Sequence, residues 1–336
     1  MSAKKTITRS RARQILDSAS KTRILVIGDL MVDRFIWGTA SRISPEAPVP
    51  VVEVKNQESM PGGAANVARN LAALGANAEI FGIVGRDEPA RELRALLRDQ
   101  NIACSGMFPS SRPTTTKTRV IAHTQQLVRY DRETREEISK NMEARLFDSL
   151  RPRLDRASAV IVGDYAKGVV TQNLLERVKS LCDERSLQIN IDSRPARNLK
   201  LRGFSMMKPN RKEAFQFAKI EDENPDTSPL NDKQLLSASN QILEQFQPKV
   251  LMITLANQGM LLCQRGQKPL HIPTVAQSVY DVSGAGDTVM ATFTLARAGG
   301  ASLVEAAILS NHAAGIVVGK VGTAVTSRDE LLRSFK

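Results

Sequence analysis

Short apolar runs separated by amphipathic stretches set the rhythm of the chain. Residues 22–28 (TRILVIG) are β-branched, apolar and ended by glycine, which predicts a buried parallel strand. Residues 78–84, 159–163, 188–191, 205–208 and 250–254 repeat that pattern. Helical periodicities lie between most of them: an Ala-rich stretch at 64–74 closed by Gly75, a charged amphipathic one at 88–100 and an apolar one at 288–298. Strands alternating with helices predict an α/β fold, a doubly wound, mostly parallel sheet with helices on both faces.

Two segments break the rhythm. Residues 49–54 and 114–124 alternate or are β-branched, and no helix accompanies them. They predict antiparallel strands outside the main sheet, a small β lid drawn from about 34–56 and 107–131. Residues 225–232 read as an irregular surface loop. The first 21 residues form a basic segment, with Lys4, Lys5, Arg9, Arg11 and Arg13, which reads as a solvated helix leading into one domain at 22–336.

A chain of 336 residues that is 42% hydrophobic can pack a sizeable core and is too apolar to be disordered. No run of 18 apolar residues predicts a membrane span, and no apolar stretch near the N-terminus predicts a secretory signal. Three cysteines without a C-x-x-C and three histidines without an H-E-x-x-H exclude a disulfide framework and a Cys/His zinc site, and suit a cytoplasmic protein. The net charge of +12 would attract nucleic acid, acidic membranes or anionic small molecules alike. With one Trp, three Tyr and no recognition helix, the expected partners are small anions rather than nucleic acid or membrane.

The strongest chemical signal is Asp281-Val282-Ser283-Gly284-Ala285-Gly286-Asp287-Thr288. Glycines let backbone N–H groups approach a ligand, and the apolar stretch that follows puts those groups at a helix N-terminus, where an anion is stabilised. Asp287 beside that anion can take a proton from an alcohol. The segment is neither a Walker loop nor a dinucleotide fingerprint. A second segment, Gly62-Gly63-Ala64-Ala65-Asn66, would let a polar ligand touch backbone, or it is only an Ala-rich packing helix. Asp29 and Asp33 stand just beyond the first strand, and Asp164 and Lys167 beyond a later one, where open α/β sheets bind ligands; capping by aspartate is the alternative. Asn210 and Glu213 form either a capping box or an amide–carboxylate pair beside a Mg²⁺–phosphate cluster, acting through water.

Residues 61–75 (PGGAANVARNLAALG) and 281–288 (DVSGAGDT), about 220 residues apart, resemble the two signatures of the ribokinase-like, phosphofructokinase-B-type sugar kinases. The segments at 28–52, 112–120, 125–133 and 163–168 are similar to those of the D-glycero-β-D-manno-heptose 7-phosphate kinases within that family. The resemblance implies ATP and Mg²⁺ as cofactors, with a monovalent cation left open. It makes Asp287 the catalytic base, with Gly284, Ala285 and Gly286 as an anion hole for the γ-phosphoryl group. It puts Asn210, Glu213, Thr254, Gly259, Asp281 and Asn311 on the nucleotide side, with Glu213 near the metal. Asp29, Asp33, Gly62, Gly63 and Asn66 fall on the sugar side. A sugar phosphate also needs cations, for which Lys117, Arg119, Arg129, Arg132 and Lys167 are candidates. The resemblance further implies a homodimer joined through the lid. Kinases of other sugar phosphates, such as a ketohexose phosphate, are the alternative.

Two departures stand out. The family's Asp-Pro-Lys is Asp192-Ser193-Arg194 here, leaving Arg194 as a phosphate candidate. The glycine usual after Thr-Leu is replaced in T-L-A-N-Q-G, with Asn257 as the substituting residue. Some relatives carry a fused adenylyltransferase, which a chain ending at Lys336 is expected to lack.

Overall fold

Alternating burial along the first strand sorts the core into two layers. The computed structural model describes residues 7–123, 125–276 and 278–335; Lys4 and Lys5 of the basic segment, and Thr124 of the second β segment, lie outside the described residues. In β1 (Arg23–Gly28), Ile24 and Val26 join one apolar layer while Leu25 and Ile27 join the other. A strand buried on both faces is why its sequence is a continuous apolar run.

The helix α1 (Arg9–Ala19) precedes β1, and β2 (Leu30–Ile43) and β3 (Pro50–Gly63) follow it. Next come α2 (Ala64–Ala73), β4 (Asn77–Val84), α3 (Glu88–Arg98), β5 (Ala103–Pro109), β6 (Thr115–Ala122), β7 (Gln125–Arg132), α4 (Lys140–Leu150), β8 (Ala159–Asp164), α5 (Gln172–Glu184) and β9 (Gln188–Ser193). The rest is β10 (Met206–Met207), α6 (Arg211–Ala218), α7 (Lys233–Phe246), β11 (Val250–Thr254), β12 (Met260–Cys263), β13 (Leu270–Ile272), α8 (Ala285–Ala298), α9 (Leu303–Val317) and α10 (Arg328–Arg333).

The main sheet has the order β13-β12-β11-β10-β9-β8-β1-β4-β5, with every pairing parallel except the antiparallel β11–β12 and β12–β13, so that β12 alone runs against the other strands. One layer holds α1, α2, α3, α8, α9 and α10, and the other α4 to α7. The basic segment is therefore only half solvated: Ala12, Ile15, Leu16 and Ala19 of α1 are buried, while Arg9 and Arg13 are exposed.

The lid is a four-stranded sheet in the order β3-β2-β6-β7. Its pairing differs from the antiparallel expectation: β2 runs parallel to β6, while β2–β3 and β6–β7 are antiparallel. Its bounds differ as well. Ala103–Pro109 pairs with β4 in the main sheet, so the second lid segment begins at Thr115 rather than at 107. Among the described residues no helix is long and apolar enough to cross a membrane, and Cys104, Cys182 and Cys263 are free thiols.

Candidate active site

The carboxyl ends of β8, β9, β10 and β11, the first turn of α8 and the inner face of the lid enclose a cleft of about 1170 Å³. Asp287 lies at its floor. Gly284 caps α8 with φ 79°, a left-handed conformation, and a Cβ there would stand 2.7 Å from Asn66 Nδ2. That close approach lets Asn66 Nδ2 donate to Asp287 Oδ2 at 2.8 Å, while the Tyr165 hydroxyl donates to Oδ1 at 2.6 Å. The carboxylate is thus held by one donor on each oxygen. Burial pushes its pKa up to about 6; Tyr165, Asn66 and Lys208 oppose the rise and the charge of Asp192 adds to it. Such a group is ionised at neutral pH and still basic enough to accept an alcohol proton.

The amides of Gly284, Gly286 and Asp287 make no hydrogen bond among the described residues, as the first turn of a helix requires. Ala285 departs from the expected anion hole, because its N–H turns back to the carbonyl of Val282 at 3.2 Å. Lys208, buried and paired with Asp192 at 3.0 Å, approaches Gly286 so closely that a Cβ there would lie 3.1 Å from its Nζ. The arrangement is a small electropositive cradle beside a base.

Above it, the lid turns cations and carboxylates inward. Lys117, Arg119, Arg129 and Lys167 all line the cleft. Arg119 donates to Asp33 at 2.8 Å and lies 5.1 Å over the Phe35 ring. Lys117 pairs with Asp131 at 2.7 Å and with Glu133 at 3.3 Å, and Lys167 pairs with Glu133 at 2.7 Å. Despite its burial, bonds from Lys167 and Arg135 and the charge of Lys117 hold Glu133 down at about 2. Arg119 faces Arg129 directly across β6 and β7. Like charges opposite one another are unfavourable unless an anion joins them. Arg132 sits opposite Thr116, on the other face of the sheet, and does not line the cleft.

Several predicted site residues shape the cleft from behind. Asp29 is fully buried, and its carboxylate accepts from the backbone N–H groups of Tyr165, Lys167 and Val169 at 2.8, 3.0 and 3.0 Å. It orders the loop rather than facing a sugar. Asp164, also buried, accepts from the Ser193 hydroxyl at 2.6 Å and the Ala166 amide at 3.1 Å. Asp281 ties the glycine loop to Gly322 through its N–H at 3.0 Å. Gly62 sits against Asp33, where a Cβ would fall 2.3 Å from Oδ2, and Gly63 lines the cleft. Sequence reasoning missed Tyr165, Asp192 and Lys208. The signal for Tyr165 stood inside GDYAKG, but its contact spans 122 residues.

Of the residues expected on the nucleotide side, Thr254, Gly259 and Asn311 line the cleft, Asn311 donating to the Pro273 carbonyl at 2.8 Å. In the T-L-A-N-Q-G turn Ala256, φ 50°, and Gly259, φ 85°, take positive φ, and Asn257 does not. Asn210 and Glu213 form the capping box, with Asn210 Oδ1 accepting from the Glu213 N–H and Glu213 Oε2 from the Asn210 N–H, both at 2.9 Å. Glu213 Oε1 also pairs with Arg194. Among the described residues no three His, Cys, Asp or Glu side chains gather to hold a metal ion. The donor set therefore does not form a cage. It fits a Mg²⁺ that arrives on nucleotide phosphates, with Glu213, whose oxygens keep spare lone pairs, reached through water.

Comparison with known proteins bears on this cleft. The pfkB family carbohydrate kinase pattern matches residues 21–330. The Bifunctional protein HldE of Geobacter sulfurreducens is 42% identical over 328 residues, covering 97% of this chain and 66% of that protein. Its counterpart in Proteus mirabilis is 40% identical over 321 residues, covering 96% and 65%. The chain thus spans just under two thirds of the length of these curated relatives. The fold matches Arabidopsis thaliana ribokinase complexed with ribose and ATP at TM-score 0.74 and 19% identity, over 94% of this chain and 99% of that one. It also matches Escherichia coli phosphofructokinase-2 complexed with potassium at TM-score 0.74 and 20% identity, over 94% and 98%.

Proposed function

Because the chain belongs to the pfkB family of carbohydrate kinases, we propose that it transfers the γ-phosphoryl group of ATP to O1 of D-glycero-β-D-manno-heptose 7-phosphate. The product is the 1,7-bisphosphate, destined for ADP-heptose and the lipopolysaccharide core. The observation that carries this reading is the pairing, in one cleft, of a doubly held Asp287 beside free helix amides with a lid in which Arg119 opposes Arg129. A base and an anion cradle suit phosphoryl transfer to an alcohol. A second cationic cluster suits an acceptor that already carries phosphate.

In the reaction, Asp287 takes the proton from the O1 hydroxyl as O1 bonds to the γ-phosphorus. The bond from that phosphorus to the β,γ-bridging oxygen breaks, and ADP leaves. The amides of Gly284, Gly286 and Asp287, with Lys208, stabilise the charge on the moving phosphoryl oxygens. Glu213 would hold Mg²⁺ through water, and the ion would supply charge neutralisation to the phosphates. Lys117, Arg119, Arg129 and Lys167 would exchange Asp33, Asp131 and Glu133 for the 7-phosphate. Free thiols suit a cytoplasmic enzyme.

The lid also supports a homodimer. Val54, Val128 and Tyr130 are 58%, 51% and 55% exposed, and the edges of β3 and β7 have no partner strand among the described residues. Measuring ADP release across heptose 7-phosphate, fructose phosphates and ribose tests the kinase reading.

A further inference from the structure

Tyr165 is held more firmly than packing alone would need. Its backbone N–H is fixed by the buried Asp29 carboxylate. One face of its ring rests on Gly163, where a Cβ would fall 3.0 Å from Cε2. The Arg194 guanidinium lies 5.5 Å from the ring centroid. The next residue, Ala166, takes a left-handed φ of 60°, a conformation an L-residue adopts only when its surroundings impose it. All of this aims one hydroxyl at one oxygen, Asp287 Oδ1, at 2.6 Å.

We propose that Tyr165 is a positioning residue for the catalytic base: its hydroxyl fixes the Asp287 carboxylate plane and keeps that carboxylate ionised. The inference rests on the reading of Asp287 as the base. A carboxylate with one donor on each oxygen is restrained about its Cβ–Cγ bond, and Asp287 lines the cleft. Burial and the nearby charges hold the Tyr165 phenol well above its ordinary pKa, so it donates at every working pH. A hydrogen bond to the charged form of an acid favours that form. The other charged groups facing Asp287 are Asp192, from the end of β9, which raises its pKa, and Lys208, just beyond β10, which lowers it; Arg194 faces Tyr165. Asp192 and Lys208 pair with each other at 3.0 Å and act on Asp287 in opposite directions. Tyr165, like Asn66, is a donor whose removal changes no charge.

The experiment compares pH profiles of kcat/KM for wild type and Tyr165→Phe. Substrate phosphates titrate identically with both enzymes, so the difference between the profiles belongs to the protein. The acid limb should move up by about one pH unit, so that Tyr165→Phe loses roughly tenfold more activity at pH 5.5 than at pH 8.5. Incorporating 3-fluorotyrosine at position 165, a stronger donor of the same shape, should move the limb down. Carboxyl ¹³C NMR of the unliganded protein, with the Asp287 resonance assigned by its loss in Asp287→Asn, should show the same upward shift in Tyr165→Phe without any substrate. An unchanged limb and an unchanged resonance would overturn the proposal. Wild-type protein that releases no ADP with any sugar would instead sink the kinase reading, and the NMR titration would still decide the role of Tyr165.

Discussion

Asn66 and Asp287 lie 221 residues apart and meet through a single 2.8 Å hydrogen bond. The bond joins the start of α2 to the start of α8. Behind it, the Thr288 hydroxyl donates to Asn70 Oδ1 at 2.8 Å, and Asn70 Nδ2 donates to the Asn66 carbonyl at 2.9 Å. The two glycine-containing segments of the sequence thus form one rigid wall, and Gly284 permits it by bringing its backbone against Asn66.

Gly284→Ala should therefore damage catalysis more than nucleotide binding. The new Cβ must both occupy a left-handed φ and displace the Asn66 amide. The backbone strain alone costs roughly 1–2 kcal/mol. We expect kcat to fall by about 10²-fold with a smaller change in nucleotide affinity, read by steady-state kinetics beside calorimetric titration of a non-hydrolysable ATP analogue. Equal losses in both would argue against a specific effect on the base.

Asp287 should make the fold pH-sensitive. Its folded pKa of about 6 stands above the ordinary 3.8 of the unfolded chain, so the folded state binds more protons between those values. Stability on its account is highest at low pH and declines as pH rises from about 4 to about 6. Asp287→Asn removes that decline. Urea unfolding at pH 4.5 and pH 7.5 should show the variant gaining on wild type by about 1–2 kcal/mol at the higher pH, after allowance for partial solvation. A gap that does not change with pH would contradict the raised pKa.

Arg119→Ala should narrow sugar selectivity. The substitution removes a candidate phosphate ligand and leaves the buried Asp33 carboxylate without its partner. Breaking such a pair costs roughly 2–5 kcal/mol. The ratio of kcat/KM for heptose 7-phosphate over unphosphorylated heptose should drop at least tenfold, mostly through KM. An unchanged ratio would move phosphate recognition to Lys117, Arg129 or Lys167.

Charge on the outer face of the lid should separate the subunits. Val128 and Tyr130 are exposed on β7, and Val128→Lys with Tyr130→Lys should shift sedimentation from dimer to monomer at micromolar concentration. Wild-type protein that already sediments as a monomer would exclude the lid interface.

Much of this was legible in the sequence. The buried strands announced themselves as apolar runs because both faces are covered, and the glycine loop announced itself because few other residues tolerate its backbone. The strand β2 was harder to see. Its inward residues include Asp33 between Met31 and Phe35, and bulges at Trp37/Gly38 and Ala40/Arg42 break its period. Asp29 shows why the site was only half legible. An aspartate beyond a parallel strand suits a sugar hydroxyl or a backbone amide equally. The choice was made by a loop 136 residues away, whose N–H groups occupy it. Tyr165 belongs to that same loop, so its role could not be read without the contact.

In the proposed reaction Asp287 deprotonates O1 of a sugar already phosphorylated at position 7. The most direct measurement of that role is ³¹P NMR of the product formed from ATP and heptose 7-phosphate by wild type and by Asp287→Asn. Wild type should give a new anomeric phosphate resonance beside the retained 7-phosphate, formed about 10²–10⁴-fold more slowly by the variant. Formation of that product by Asp287→Asn within threefold of the wild-type rate, or no anomeric phosphate from wild type, would contradict it.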